Sequence, residues 1–270
     1  HDLNAFDDDD LMLIYTSGTT GLPKGVILTH TNVFAQCVNA LTLGADPTDV
    51  TLVVLPLFHV GGLNGAATPI LHIGGTVIFQ RSFSPAGTLK LIEEEKVTGF
   101  LAVPTIFRLL SDTPEFQTTD LSHCKVLLSG GAPLPESLIE LYHHRGLEFR
   151  QGYGLTEAAP GVTGMGPGEC RNKAGSAGRC ILYTEVRIVD AHGNDVPEGE
   201  SGEIIARGPN IMKGYWNRPD ATADTLKNGW LHTGDVGKFD EEGFLYIVDR
   251  KKDMIISGGE NIYPAEIEKL

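Results

Sequence analysis

The stretch Tyr15-Thr16-Ser17-Gly18-Thr19-Thr20-Gly21-Leu22-Pro23-Lys24-Gly25 constrains this chain more than any other. Three glycines, three threonines, a serine and a lysine are held between two apolar runs, Leu11–Ile14 and Val26–Leu28, which read as strands. Gly18, Gly21 and Gly25 are expected to allow positive φ and to bring amide N–H groups close to an anion. Thr16, Ser17, Thr19 and Thr20 add hydroxyls, Lys24 adds a mobile charge, and Pro23 limits how far the loop can collapse. A solvated hairpin turn is the bland reading of such a stretch, but the order and density of donors favour a phosphate cradle.

This arc differs from the P-loop, which needs a glycine directly before its lysine and opens a helix. Here Pro23 precedes Lys24, and the β-like run Val26–Leu28 follows. With 41% hydrophobic and 21% charged residues, the 270-residue chain has the composition of a folded protein with one large or two smaller cores. A formal net charge of -14 argues against nucleic-acid or anionic-membrane binding, which would need a basic face. Cys37, Cys124, Cys170 and Cys180 lack metal-ligand spacing and read as reduced thiols of a cytoplasmic protein. The acidic start without a Met, and an end inside the helix-like Pro264–Glu268, suggest a chain cut from a longer protein. Val50 to Gln80 carries no Asp, Glu, Lys or Arg, but Pro56, Pro69 and two Gly-Gly pairs divide it into a buried strand, a loop, a short helix and another strand. A peripheral membrane contact is compatible with it.

Taken in order, Thr29 reads as the N-cap of a helix over His30–Leu43, and strands and helices then alternate to about Gly175. His59 follows the first buried strand, where open α/β sheets present ligand groups, although a lone histidine is more often a core or capping residue. Gly61 and Gly62 are expected to keep the way past it open. Gly130, Gly131 and Ala132 follow another strand and leave bare backbone on which a flat ring could lie; a plain strand-to-helix turn would look the same. Gln151-Gly152-Tyr153-Gly154-Leu155-Thr156-Glu157 places an aromatic plate, a hydroxyl and a potential Mg²⁺ ligand within a few residues. The adjacent His143 and His144 point in different directions on a helix and are rejected as a metal pair, and no His-Glu-x-x-His or Gly-x-Ser-x-Gly motif occurs. Beyond Gly175 short strands and turn signals predict a small β-barrel or β-rich subdomain carrying Thr233-Gly234-Asp235, and Asp249–Asp253 is a charged run.

Position by position, the first motif and then the second resemble those of the adenylate-forming superfamily, which includes acyl-CoA synthetases, firefly-type luciferases and peptide-synthetase adenylation domains. The resemblance covers nearly the whole chain. It implies an α/β fold of layered subdomains with mixed sheets, followed by a β-barrel subdomain, as part of the large domain of an acyl-CoA synthetase. The expected divisions are 1–175, 176–249, and 250–270 as hinge and start of a C-terminal lid. It also implies roles. Lys24, Thr16, Ser17, Gly18, Thr19 and Thr20 meet the phosphates of ATP, and Gly130, Gly131 and Ala132 wall the adenine. In the second motif, with Gln151 and Gly152, Tyr153 stacks on adenine, Thr156 meets the α-phosphate and Glu157 holds Mg²⁺. Asp235 and Arg250 take the ribose, His59 lies beside the acyl carboxylate, Lys252 is the pivot, and Gly258 and Gly259 line the pantetheine channel for CoA.

The implied reaction joins a carboxylic acid to AMP and then to CoA, with the wording from Asp249 to Glu266 most like that of medium- and long-chain fatty-acyl-CoA synthetases and their aryl-acid relatives. An aryl-CoA ligase or a peptide-synthetase adenylation domain would share every motif. A non-catalytic nucleotide binder is the alternative of a different class, against which intact Lys24, Thr156, Glu157, Asp235 and Arg250 argue. Because the start of the usual large domain and the lid are not in the sequence, this segment alone is expected to bind adenylates weakly, to turn over little and to expose apolar surface.

Overall fold

The computed structural model describes residues 8–16 and 22–250, and the backbone of 255–257 and 260–262. Strands β1 (Asp10–Thr16) and β2 (Lys24–Thr29) form the antiparallel hairpin expected around the first motif, with Thr16 opposite Lys24 at its open end. Ser17, Gly18, Thr19, Thr20 and Gly21 lie outside the described residues. Gly25 does not take a positive φ. It is extended in β2, and a β-carbon there would stand 3.3 Å from the ring of the exposed Tyr15, a close contact that a small shift of that ring relieves.

Helix α1 (His30–Thr42) starts where Thr29 predicts, with a reciprocal cap: the Thr29 hydroxyl accepts from the Asn32 N–H and the Asn32 carboxamide accepts from the Thr29 N–H. At its other end Arg150 donates to the Leu43 carbonyl, placing a cation at the negative end of the helix.

The chain then builds a parallel sheet from β3 (Val50–Val53), β4 (Thr76–Phe79), β5 (Gly99–Ala102), β6 (Val126–Ser129) and β7 (Phe149–Gly154), in the spatial order β4-β3-β5-β6-β7. Two antiparallel strands, β8 (Gly161–Gly164) and β9 (Arg179–Cys180), extend it. The helices α3 (Pro85–Glu94), α4 (Pro104–Ser111) and α5 (Glu136–His143), whose connections join successive strands, pack against one face. The core there is aromatic: the buried Phe107, Tyr142 and Phe149 rings meet edge to face, and the Tyr142 hydroxyl donates to the Phe107 carbonyl at 2.7 Å. On the other face, buried Ala66 and Ala67 pack on Val53 beside Leu101.

The uncharged span from β3 to β4 contains the expected strand, loop, helix and strand, but its helix begins as a π-helix, Gly61–Ala67, before continuing as α2 (Thr68–His72). Its small residues permit the wide turn. Gly62 has a different task from the one expected: a β-carbon there would lie 2.4 Å from the Pro56 carbonyl oxygen, so backbone packing rather than an open passage demands glycine. No helix among the described residues is long and apolar enough to cross a membrane.

The β-rich part comprises β10 (Glu185–Val189), β11 (Gly202–Arg207), β12 (Gly214–Tyr215), β13 (Leu226–Lys227), β14 (Trp230–Phe239) and β15 (Leu245–Arg250). Five of these make one antiparallel sheet, β10-β11-β14, with both β13 and β15 on the long β14. Its outer strands do not pair with one another among the described residues, so the expected small barrel is an open sheet here. The sixth, β12, leaves it and pairs with β2, tying the β-rich part to the first hairpin. Arg250, expected to open a hinge, is the last residue of β15 and faces Asp235 in register. β16 (Ile255–Ser257) and β17 (Glu260–Ile262) form a separate ladder, while Lys252, Gly258 and Gly259 lie outside the described residues.

Candidate active site at the carboxyl edge of the sheet

Strand β3 has β4 on one side and β5 on the other, so successive crossovers part company there and leave a crevice at the carboxyl ends of the strands. His59 lies just past β3, Gly130 to Ala132 past β6, and Tyr153 to Glu157 at the end of β7. Their common location follows from parallel topology, which puts every carboxyl end on one edge.

His59 is exposed, and its Nδ1 accepts the Gly61 N–H at 3.0 Å, so its Nε2 is the ring nitrogen left to an incoming group. Gly131 has φ +79°, which a turn into the next helix requires. Gly130 has neither that constraint nor crowding: a β-carbon would approach nothing closer than Leu101, at 3.9 Å, and the Gly152 carbonyl, at 4.0 Å. Nothing in the fold itself demands glycine at Gly130, and its bare backbone stays accessible to a flat ligand. Gly152 differs, since a β-carbon there would meet the Thr163 carbonyl at 2.5 Å across the β7–β8 pair.

Two clusters converge on the turn between β7 and β8. In the first, the Tyr153 hydroxyl donates to Asp235 Oδ2 at 2.6 Å, and Arg250 Nε stands 3.9 Å from Asp235 Oδ1. Asp235 reaches this place because β14 bulges. Against Glu203 to Ile205 of β11 it sets Val236 to His232, so Thr233, Gly234 and Asp235 arch out of the ladder, with Gly234 at φ +75°. The Thr233 hydroxyl braces the arch by accepting the Asp235 N–H at 3.1 Å and donating to the Ile204 carbonyl at 2.7 Å. Strand β14 runs through this arch, from Trp230 to Phe239.

In the second cluster the Tyr215 hydroxyl donates to Glu157 Oε1 at 2.7 Å, and the Lys24 ammonium sits 4.7 Å from the centre of the same ring. Glu157 and the buried Thr156 occupy a 3₁₀ turn, Thr156–Ala158. Asn210, fully buried, donates its carboxamide to the Gly161 carbonyl at 2.6 Å, and the Met212 N–H donates to the Glu157 carbonyl at 2.9 Å. Tyr215 and Asn210 carry no motif-like signal in their own neighbourhood, and reasoning from sequence passed over both. Gln151 is separate: its buried carboxamide donates to the Ser176 carbonyl, tying β7 to the segment before β9.

Burial raises the Asp235 carboxyl above the usual carboxylate range, against smaller downward pulls from the Tyr153 hydroxyl and the Arg250 guanidinium. A carboxyl raised on folding binds more protons in the folded state, so its favourable contribution is present at low pH and lost as pH rises through the raised value. Asp235→Asn is accordingly expected to raise the melting temperature slightly at neutral pH. The gain disappears as pH falls into the ordinary carboxylate range near about 4. Melting curves of the two proteins between pH 4 and 8 check this, and a variant less stable than the parent at neutral pH contradicts it.

Burial pushes the Cys37 thiol up to about 11 and those of Cys124 and Cys170 up to about 12. His143 faces Arg171 and His144 faces the Glu140 carbonyl, and among the described residues no group of three or more His, Cys, Asp or Glu could hold a metal. Glu157 fits the other mode of cation binding, in which Mg²⁺ takes one carboxylate and completes its shell with phosphates and water.

Residues 2–216 match the family described as AMP-binding enzyme. A feruloyl-CoA synthase of Amycolatopsis sp is 50% identical over 264 residues, covering 97% of this chain and 53% of that protein. A long-chain-fatty-acid–CoA ligase of Mycobacterium tuberculosis, FadD13, is 44% identical over 97% of this chain and 52% of its own length. The chain thus spans about half the length of these curated relatives. Among solved structures, o-succinylbenzoate coenzyme A synthetase from Bacillus subtilis in complex with ATP and magnesium ion aligns with a TM-score of 0.88 and 40% identity, over 98% of this chain and 55% of that one.

Proposed function

The chain belongs to the AMP-binding enzyme family of the adenylate-forming superfamily, and from that premise we propose that it supplies the nucleotide-binding and adenylation site of an acid–thiol ligase. The observation that carries the reading is the pairing of Tyr153 and Glu157, four residues apart on one turn, with two different anchors. Tyr153 is bonded to Asp235, and Glu157 to the tyrosine that carries Lys24. One end suits a nucleoside and the other a polyphosphate.

In this reading adenine lies on Gly130, Gly131 and Ala132 against the Tyr153 ring, and Asp235, with Arg250, accepts the ribose hydroxyls. Lys24, Thr16 and the loop residues Ser17, Gly18, Thr19 and Thr20 bind the β- and γ-phosphates, while Thr156 orients the α-phosphate. Mg²⁺, when bound, neutralises charge on the phosphates, and Glu157 is the residue that holds it. A carboxylate oxygen of the acid attacks the α-phosphorus, the bond to the bridging oxygen breaks, and pyrophosphate leaves with the electron pair. The protein's part is alignment and charge stabilisation. His59 adjoins the acid at the crevice mouth. The thiol of CoA then attacks the acyl carbon and AMP departs, a step to which Lys252 as pivot and Gly258 and Gly259 as channel lining belong. Residues 250–270 are the hinge and the start of the C-terminal lid in this scheme, and 1–175 and 176–249 its two halves. A cytoplasmic setting fits four unpaired thiols.

The acid is a fatty or an aryl acid. Relatives with names of both kinds, feruloyl and long-chain fatty acid, support the CoA ligase reading without choosing between them. The test, made on the full-length protein that carries this segment, is ATP–pyrophosphate exchange with acetate, long-chain fatty acids, benzoate, cinnamate and amino acids supplied singly. Exchange that needs a fatty or aryl acid, with acyl-CoA formed only when CoA is added, is the expected result. Exchange with amino acids alone moves the protein to peptide-synthetase chemistry, and ATP binding without any exchange makes it a non-catalytic binder.

A further inference from the structure

Resting on that reading, we propose that Tyr215 is a positioning residue that holds the Lys24 ammonium and the Glu157 carboxylate apart and separately aimed. The strand β12 brings Tyr215 to the hairpin from nearly two hundred residues away in sequence, and its register with Val26 fixes the ring two residues from Lys24. The segment around it is clamped at both ends. The Trp216 N–H donates to the Gly25 carbonyl at 2.8 Å, the Lys213 N–H to the Ile27 carbonyl at 3.1 Å, and the Met212 N–H to the Glu157 carbonyl at 2.9 Å. The Asn32 carboxamide seals the same segment by donating to the Pro209 and Ile211 carbonyls, each at 2.8 Å.

With its backbone so held, buried Tyr215 serves two opposite charges by two different means. Its ring face receives the cation and its hydroxyl donates to the anion. Lys24 and Glu157 both attach to this one side chain, and without the hydroxyl the carboxylate is free to swing to the ammonium and spend its charge there. By taking Glu157 Oε1, the hydroxyl leaves Oε2 for a cation, and the ring keeps Lys24 available to an anion.

Two measurements test this. In the first, Lys24 acylation by a lysine-selective reagent is followed by mass spectrometry at fixed pH in the parent, Tyr215→Phe, Glu157→Gln and the double variant, with no nucleotide present. Losing the hydroxyl frees Glu157 to pair with Lys24, so Tyr215→Phe is expected to slow Lys24 labelling several-fold, and Glu157→Gln to abolish that slowing. Unchanged labelling in Tyr215→Phe, or equal slowing with and without Glu157, overturns the proposal. In the second, ATP affinity is measured with and without Mg²⁺. Tyr215→Phe is expected to cut the Mg²⁺-dependent gain in affinity roughly tenfold, the order of one hydrogen bond to a charged group, with a near-parental melting temperature. An equal loss with and without Mg²⁺, together with a lowered melting temperature, marks a packing role and also overturns it. The labelling arm needs no nucleotide, so a parent that binds no ATP defeats the ligase reading while leaving this one to be judged by Lys24.

Discussion

Replacing Glu157 by glutamine is expected to lower acid-dependent ATP–pyrophosphate exchange by roughly 10²–10³-fold, the range found when one preorganised electrostatic group is removed from an active site. Glutamine has the same shape and keeps an oxygen that can accept the Tyr215 hydroxyl, now 2.7 Å from Glu157 Oε1. The backbone bond from Met212 to the Glu157 carbonyl is untouched. What disappears is the negative charge at the phosphate end of the site, and with it the group assigned to hold Mg²⁺. Exchange rates over a Mg²⁺ titration, with melting curves as a check on folding, measure the effect. Exchange within twofold of the parent at all Mg²⁺ concentrations would show that this carboxylate does not serve the cation.

Gly154→Ala is expected to be the most damaging small substitution for stability. A β-carbon built on Gly154 falls 1.8 Å from the Pro160 carbonyl oxygen and 2.8 Å from its carbon. The obstacle is backbone, and it is fixed, because the Leu155 N–H donates to that same oxygen at 2.9 Å. Relief requires the β7–β8 turn to open, which moves Tyr153 off Asp235 and Glu157 off Tyr215 together. A cost of about 3–5 kcal/mol places it in the exceptional tail of point substitutions, equivalent to a melting temperature lower by roughly 10 °C for a chain of this size. Gly193→Ala is the control: φ there is +83°, but a β-carbon would meet nothing within 4 Å, so only the left-handed backbone penalty of about 1–2 kcal/mol applies. Equal melting temperatures for the two variants would refute the account.

Local sequence determined a good deal of this protein. The apolar runs on either side of the Gly/Thr-rich loop specify a hairpin, Thr29 specifies where α1 begins, and the alternation of strand and helix specifies a sheet with its ligand groups on one edge. These properties depend on torsional preference, capping and hydrophobic period, all set by residues a few positions apart. Tertiary structure decided what those residues do. The bulge that presents Asp235 exists because β14 is paired to β11 two residues out of step. Gly62 has no room for a side chain because the Pro56 carbonyl approaches it, and no turn conformation is involved. Tyr215 and Asn210 matter through partners 58 and 49 residues away. Such contacts depend on strand order and register, which place together groups that no local rule relates, and they were settled only when β12 left its own sheet to pair with β2.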